Sequence, residues 1–309
     1  MQQNLPHKLD KRITLPLVNL LDKTEPAFSH AFLHAARTLH SYLQEIQSAI
    51  ASVVNSESEP YTIAVVGLFS KLIRSYNSYV LLEIHYDDAG SQFLVEELWD
   101  TAVTLTYLLE TAERETFTDY IAASVYQARL LLQEVETQLV HLPQNLDLLV
   151  LRDRLKAFIS EQKQPATDRT LTNLAADTWG METANTTAKR ARLLGLNFLS
   201  NPAQRIAQKI TPASLLDVQL NYLNSAPHGL PASDLQKIDF RQLRDASHLC
   251  LHATKALLEA FVQTSDAGQV KIQQQELNEF FEWFYQAYQA YSSDRDASLK
   301  SNKNGGRRW

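Results

Sequence analysis

The chain has 309 residues, of which 45% are hydrophobic, and only 8 glycines and 10 prolines. So few turn-forming residues exclude the many short strands of a β-sandwich or β-barrel and favour a small number of long helices. The formal net charge of −6 argues against a dedicated nucleic-acid binder, and the single cysteine, Cys250, excludes a disulfide framework or a thiolate zinc site within one chain. We therefore expect an all-α protein of a reducing, cytoplasmic compartment.

Residues 1–22 are interpreted as an N-terminal extension. Pro16 and Asn19 interrupt its apolar run and no small-residue cleavage site follows, so we do not expect secretion. No run of 18 apolar residues occurs, so we expect no contact with a membrane. Thr24 and Pro26 begin the first helix, whose apolar residues form one stripe at 100° per residue. The stripe consists of Phe28, Phe32, Ala35, Leu39, Leu43, Ile46, Ile50 and Val53.

Four further helices are predicted before residue 163 from apolar periodicity and from turn-forming residues between them. They cover about Pro60 to His85, Ser91 to Ala112, Thr118 to Leu142 and Leu146 to Gln162. The polar segment Lys163–Thr170 is the clearest internal linker. We therefore divide the chain into an N-terminal helical bundle, residues 23–163, and a C-terminal helical portion packed on it, residues 164–291.

The C-terminal portion contains short helical pieces and two long helices. Ser233 and Gln236 have the spacing of a capping box and predict a long helix as far as Gln263. A final helix covers about Val270 to Tyr291, and residues 292–309, which lack an apolar period, are expected to form a disordered tail. The whole chain is thus predicted to be a multi-helix bundle of about eight helices.

Two separated groups of motifs follow a recognisable pattern. The run GLFSKLIRSYNSYVLLEIHYDDAG, followed by SQFLVEELWDTAVTLTYLLE, has the form of a helical hairpin, and later segments carry Trp-Gly, a tyrosine and Ser-x-x-His in order. Together they resemble a prokaryotic all-α domain family of unknown function. The residues that match it are Trp179, Tyr222, Ser225 and His228. Glu96 and Asp100 depart from the family pattern, which has an arginine and a glutamate there.

The resemblance implies a fold related to the HEPN helical bundles, some of which are ribonucleases in defence and toxin systems. Those enzymes use an arginine that is followed, after four to six residues, by a histidine. Arg241 and His248 have this spacing, but about one such pair is expected by chance in a sequence of this composition. His228 lies between Pro227 and Gly229, so we expect it in a turn just past a helix end. There it either caps the helix carbonyls or acts as a proton donor or acceptor in a cleft.

Two histidine pairs, His30–His34 and His248–His252, have the i, i+4 spacing of helical zinc sites. Helical projection places each pair opposite the apolar stripe of its helix, whereas Cys250 lies on the apolar side. Three charged residues share the polar face of the later helix, namely Arg241, Asp245 and Glu259. We therefore predict solvated helix surfaces, no bound metal and no cofactor.

The segment from Thr183 to Ser214 is basic and contains no acidic residue, so it is where a phosphate backbone would be attracted. Its basic residues are Lys189, Arg190, Arg192, Arg205 and Lys209. The alternative is structural. KRAR would form the last turn of a helix, where positive charge complements the helix dipole, before Gly195 in a left-handed conformation.

Aromatic residues cover more than half of the circumference of the last helix. They are Phe280, Phe281, Trp283, Phe284, Tyr285, Tyr288 and Tyr291. Either the helix is buried on two sides, or part of it is a homo-oligomer contact. Because no catalytic motif emerges, the leading hypothesis is a non-enzymatic binding or regulatory module. The rival hypothesis is a HEPN-type ribonuclease or toxin acting on RNA, with His228 and arginines of the basic segment at its site.

Overall fold

The computed structural model describes residues 15–18, 21, 24–51, 59–85, 88–111, 114–162, 186–196, 238–262 and 267–305. Within these ranges all regular secondary structure is helical and no strand is present. The all-α class and the number of about eight helices predicted from the sequence are confirmed. None of the helices in these ranges is both long enough and apolar enough to cross a membrane.

The eight helices of the described ranges are numbered in chain order. They are α1 (Glu25–Ala51), α2 (Pro60–Ile84), α3 (Asp88–Thr111), α4 (Arg114–His141), α5 (Leu146–Glu161), α6 (Thr187–Leu193), α7 (Phe240–Val262) and α8 (Ala267–Gly305). Pro60 begins α2, where a missing amide hydrogen costs nothing. The Asn145 side chain begins α5 by accepting a hydrogen bond from the Leu148 amide at 3.0 Å. These two helices were predicted with nearly the same bounds.

The predicted start of the helix that contains His248 is wrong. Ile238 and Asp239 are not helical, and α7 begins at Phe240. The Asp239 carboxylate accepts hydrogen bonds of 3.0 Å from the Arg241 and Gln242 amides. Asp239 is therefore the cap, and the Ser233–Gln236 pair lies outside the described residues.

The last helix is longer than its apolar pattern predicts. α8 continues to Gly305 and so passes through the segment from residue 292 for which we predicted a disordered tail. Its composition does not explain this length, because only five of residues 292–305 are alanine, leucine, lysine or arginine and the others are serine, aspartate, asparagine and glycine, which favour helix less. The missing apolar period therefore does not mark the end of the helix.

The chain divides into two compact units. Unit 1 combines Met1–Leu109 with Phe198–Trp309, and unit 2 is Glu110–Asn197. Within unit 1, α7 and α8 pack on each other and on α1, and α7 also packs on α2. The structure thus groups the helices differently from the division predicted near residue 163, because the last two helices complete the core of the first ones.

The core of unit 1 is aromatic where α1, α7 and α8 meet. The Phe32 ring lies 5.0 Å from Phe240 and 5.5 Å from Trp283, measured between centroids. Such pairs stabilise a core beyond the area that they bury. The Trp283 indole Nε1 donates a 2.6 Å hydrogen bond to the Pro16 carbonyl, so the N-terminal extension contacts α8. Every described member of the predicted α1 stripe is buried.

Most aromatic residues of α8 are covered within the chain. Phe280, Trp283 and Phe284 are buried, and Phe281, Tyr288 and Tyr291 are half-buried. Tyr285 is the exposed aromatic residue of this helix among those described. Burial on two sides, the first of the two alternatives that the sequence left open, therefore accounts for this group.

In unit 2, α4 and α5 form a helical hairpin. The amide of Leu142 donates to the Gln138 carbonyl at 2.9 Å, and the amide of Asn145 donates to the Leu142 carbonyl at 3.1 Å, which closes the turn. The Lys156 ammonium lies 2.9 Å from the Glu136 carboxylate and joins the two helices. No residue of α5 is buried, so α4 covers this helix only in part.

Candidate functional site

His248 lies in a layer between α7 and α8. Its ring stacks on Phe281, with centroids 4.0 Å apart and planes inclined by 12°, and it meets the edge of Phe284 at 6.5 Å. Its Nε2 lies 3.4 Å from the Phe281 carbonyl oxygen, which can only accept, so Nε2 carries the proton and donates. Burial lowers the pKa of His248 to about 4, and the nearby charges of Arg244 and His252 act in the same direction. His248 is therefore neutral at pH 7.

The prediction that His248 and Asp245 face solvent is wrong, because both are buried. Arg241 and Glu259 are exposed, as predicted, and His252 is half-buried. The projection of α7 identified one apolar stripe correctly, with Cys250 in it. It failed for the opposite side because aromatic residues of α8 cover that side. The sequence of one helix does not show which other helix packs on its polar face.

Arg244 and Asp245 form an ion pair at the same α7–α8 layer. The guanidinium donates from Nη2 and Nε to one Asp245 oxygen at 2.6 and 2.8 Å. Its carbon Cζ lies 4.1 Å from the centre of the Tyr288 ring on α8. Burial raises the pKa of Asp245, although the Arg244 charge opposes that shift. The cation is thus held between an acid and an aromatic ring, an arrangement that positions α8 on α7.

The other side of α7 contains a buried pair of hydroxyl groups. The Tyr76 hydroxyl on α2 lies 2.7 Å from Ser247 Oγ, and Ser247 donates its hydrogen to the Leu243 carbonyl at 2.7 Å. Tyr76 must therefore donate to Ser247. Burial raises the pKa of Tyr76 and that of the nearby Cys250 thiol, so both groups stay protonated. This pair contributes structure, with no group poised to transfer a proton at neutral pH.

A buried carboxylate, Glu83, lies near the C-terminal end of α2. It is close to Tyr79, whose pKa is raised by burial and then by the negative charges of Glu83 and Asp239. The end of α2 thus places a buried acid and a buried phenol near the exposed carboxylate that caps α7.

His30 and His34 are exposed on α1, as predicted, with parallel rings 6.5 Å apart. Two ligands alone do not make a structural zinc site, which needs four. In the part of the chain that the structure describes, no three His, Cys, Asp or Glu side chains converge in a way that could hold a metal ion.

Three residues of the predicted phosphate-binding segment lie on α6. Lys189 and Arg192 are exposed, and Arg190 is buried. Arg190 and Arg192 lie in the last helical turn, and Gly195 follows with a φ of 69°, so the predicted left-handed glycine is confirmed. Arg205 and Lys209 lie outside the described residues, as do Trp179, Tyr222, Ser225 and His228.

The α4–α5 hairpin exposes large apolar side chains that the sequence analysis did not single out. They are Leu130, Leu131, Val140, Leu142, Leu146, Val150 and Leu151. The run LDLLVL at the start of α5 was a signal for this surface, since its apolar residues point to more than one side of the helix. Exposed apolar groups of this size on adjacent helices commonly mark association sites.

One flank of the hairpin collects four of its apolar residues. At 100° per residue, Leu131 lies about 140° around α4 from Glu136, and Leu151 lies about 140° around α5 from Lys156. Because Glu136 and Lys156 pair on one flank, these leucines lie on the other. Phe158, seven residues after Leu151, shares the direction of Leu151 on α5 and is half-buried, and the exposed Leu142 directly follows the end of α4. We call this set the leucine face: Leu131, Leu142, Leu151 and Phe158.

No protein-family model, curated protein or solved structure matches the chain. The resemblance to HEPN-related proteins therefore rests on the motifs quoted from the sequence. Among the described residues, two features remain as candidates for function: the α7–α8 layer around His248 and the leucine face. His248 is neutral, buried and held by α8, whereas the three leucines of the leucine face are exposed.

Proposed function

We propose that this protein is a non-enzymatic binding or regulatory module with a HEPN-like helical fold, acting in the cytoplasm of a prokaryote. The leucine face is the single observation that supports this function most directly. Leu131 and Leu142 each leave 51% of their surface exposed, and Leu151 leaves 43%. Full burial of a leucine side chain is worth about 1.5–3 kcal/mol, so a binding partner that covers the exposed half would recover about half of that for each leucine.

The state of the buried titratable groups supports a binding role further. His248 and Cys250 are residue types that often serve as base and nucleophile, yet each is packed in the core in its neutral form. A general base works best with a pKa near the working pH, and the pKa of His248 lies far below it. These two residues are more useful to the packing of α7 than to a reaction.

The alternative function is a HEPN-type ribonuclease or toxin acting on RNA. The basic segment supports it, because Lys189 and Arg192 are exposed and no acidic residue lies between Thr183 and Ser214. In this alternative His228 assists attack on the RNA backbone and the arginines bind phosphate. The sequence-based possibility of a homo-oligomer contact through α8 also remains, with Tyr285 as its exposed aromatic residue.

Site-specific photo-crosslinking in cells that express the protein tests the binding role. A photoreactive amino acid at Leu151 should give one or more adducts of defined mass. The same amino acid at Val140, which lies on the ion-pair flank of α4 and is 76% exposed, should give none. Equal labelling at both positions, or no adduct at Leu151, would contradict a binding role for the leucine face.

An RNA-cleavage assay decides between the two functions. Purified protein is incubated with single-stranded and structured RNA beside a His228→Ala variant. The binding role predicts no cleavage by either. Cleavage by the parent that the variant loses, while circular dichroism shows that it folds normally, would place the ribonuclease first.

A further inference from the structure

The hairpin that carries the leucine face has charges of both signs. From residue 128 to residue 161 the hairpin contains four basic and five acidic residues, so its formal charge is close to zero. An anionic partner such as a nucleic acid or a membrane surface would select a basic hairpin, and a strongly basic partner would select an acidic one. A partner of the same mixed character fits this surface without repulsion.

The size of the hairpin agrees with a modest protein interface. A helix of 16 residues, as in α5, is about 24 Å long, and two packed helices are about 20 Å wide. One flank therefore projects on the order of 500 Å², slightly less than the roughly 600–1,000 Å² that each partner contributes to a specific, stable complex. A complex formed through this flank alone should be weak and depend on concentration.

A two-layer arrangement completes the burial of both helices. A hairpin is one layer of two antiparallel helices, and a second such layer against its open flank forms a four-helix bundle. When the two layers are identical, a two-fold axis brings the same face of each chain together, so each leucine face supplies the apolar surface that the other lacks. No residue of α5 is buried in the single chain, which is what half of such a bundle requires.

We propose that a second copy of this chain covers the leucine face, so that two α4–α5 hairpins form a four-helix bundle across a two-fold axis. This inference rests on the proposed binding role and names the partner. It assigns self-association to unit 2, whereas the sequence pointed to the aromatic helix α8. Leu151 and Phe158 from α5, Leu131 from α4 and Leu142 from the turn after α4 form the apolar centre of the contact.

Analytical ultracentrifugation of the full chain tests the proposal. The parent should sediment in a concentration-dependent monomer–dimer equilibrium. Leu151→Glu, and separately Leu131→Glu, should raise the dissociation constant at least about tenfold, since each dimer carries the charge twice in an apolar contact. The matched control is Val140→Glu, which places the same charge on the ion-pair flank and should change the dissociation constant less than about twofold. Circular dichroism of every variant confirms that unit 2 is folded.

Three results would overturn the proposal. The first is a parent that stays monomeric at the highest soluble concentration. The second is a dimer that both leucine variants leave intact, and the third is a dimer that Tyr285→Glu dissociates while Leu151→Glu does not, which would place the contact on α8. The binding role has a separate outcome: an adduct at Leu151 with a different protein, and none with a second copy, keeps that role and removes the self-association.

Discussion

The imidazole of His248 lies flat against the ring of Phe281, with centroids 4.0 Å apart, and its Nε2 donates to the carbonyl of the same residue. One residue of α8 thus holds both the face and the edge of a histidine on α7. Burial between the two helices keeps His248 neutral, because a charged ring would lose its hydration there, and this effect outweighs the hydrogen bond to the Phe281 carbonyl, which raises the pKa.

Stability should fall in acid through His248. Its pKa is lowered to about 4 in the folded protein, so the unfolded chain binds the proton first. The contribution of neutral His248 is complete above about pH 6.5 and is lost as the pH falls toward 4. Urea denaturation of the parent and of His248→Gln should show a stability difference that shrinks by up to about 3 kcal/mol over this interval.

His252→Gln is the control for that experiment, since His252 shares α7 and is only half-buried. Its pKa is also lowered by burial, so it should give a smaller change in the same direction. A stability difference between the parent and His248→Gln that stays constant from pH 7 to pH 4 would contradict the buried, neutral state of His248.

Ser247→Ala should destabilise the protein more than Tyr76→Phe. With Ser247 removed, the buried Tyr76 hydroxyl loses its acceptor, which costs about 1–3 kcal/mol. With the Tyr76 hydroxyl removed, Ser247 still donates to the Leu243 carbonyl, and the loss is about 1 kcal/mol. Urea denaturation of both single variants and of the double variant measures the interaction energy of the pair. A larger loss of stability in Tyr76→Phe than in Ser247→Ala would mean that the donor of this hydrogen bond has been assigned wrongly.

The N-terminal extension should stabilise unit 1 through Trp283. Deleting residues 2–20 removes the Pro16 carbonyl that accepts a hydrogen bond from the indole, so the free energy of unfolding should fall by about 1 kcal/mol. Tryptophan emission should also shift to longer wavelength. Pro16→Ala keeps the carbonyl and is the matched control. If the deletion variant has the stability and the emission of the parent, the hydrogen bond between the extension and the Trp283 indole does not form in the dissolved protein.

Cys250 should be inert in the folded protein. The thiol is fully buried and burial raises its pKa, so neither access nor thiolate is available. Ellman's reagent should react with the native chain at least about 100-fold more slowly than with the chain unfolded in urea, because the thiol is reached only when unit 1 transiently opens. Since Cys250 is the only cysteine, the signal has one source, and immediate reaction in native buffer would contradict its place in the core.

The helices themselves were predictable because their ends are marked by local chemistry. Pro60 has no amide hydrogen to satisfy in the first turn of α2, and Asn145 caps an amide three residues away, so neighbouring residues were enough to locate α2 and α5. Asp245 and His248 failed because their burial depends on α8, which is distant in the sequence. The leucine face was missed for a related reason: whether Leu151 is covered depends on the relative position of α4 and α5, which periodicity along one helix does not contain.

The order of helices in unit 1 has a consequence for how the protein is made. Its chain is interrupted by unit 2, so α1 and α2 leave the ribosome well before α7 and α8. Until α7 arrives, Tyr76 has no Ser247 to bond, and until α8 arrives, the aromatic face of α1 has no Trp283. Contacts that span so much sequence form slowly, and a nascent chain with open apolar faces is a substrate for chaperones. Unit 2, whose residues are continuous, can fold during synthesis while its neighbour waits for its last two helices.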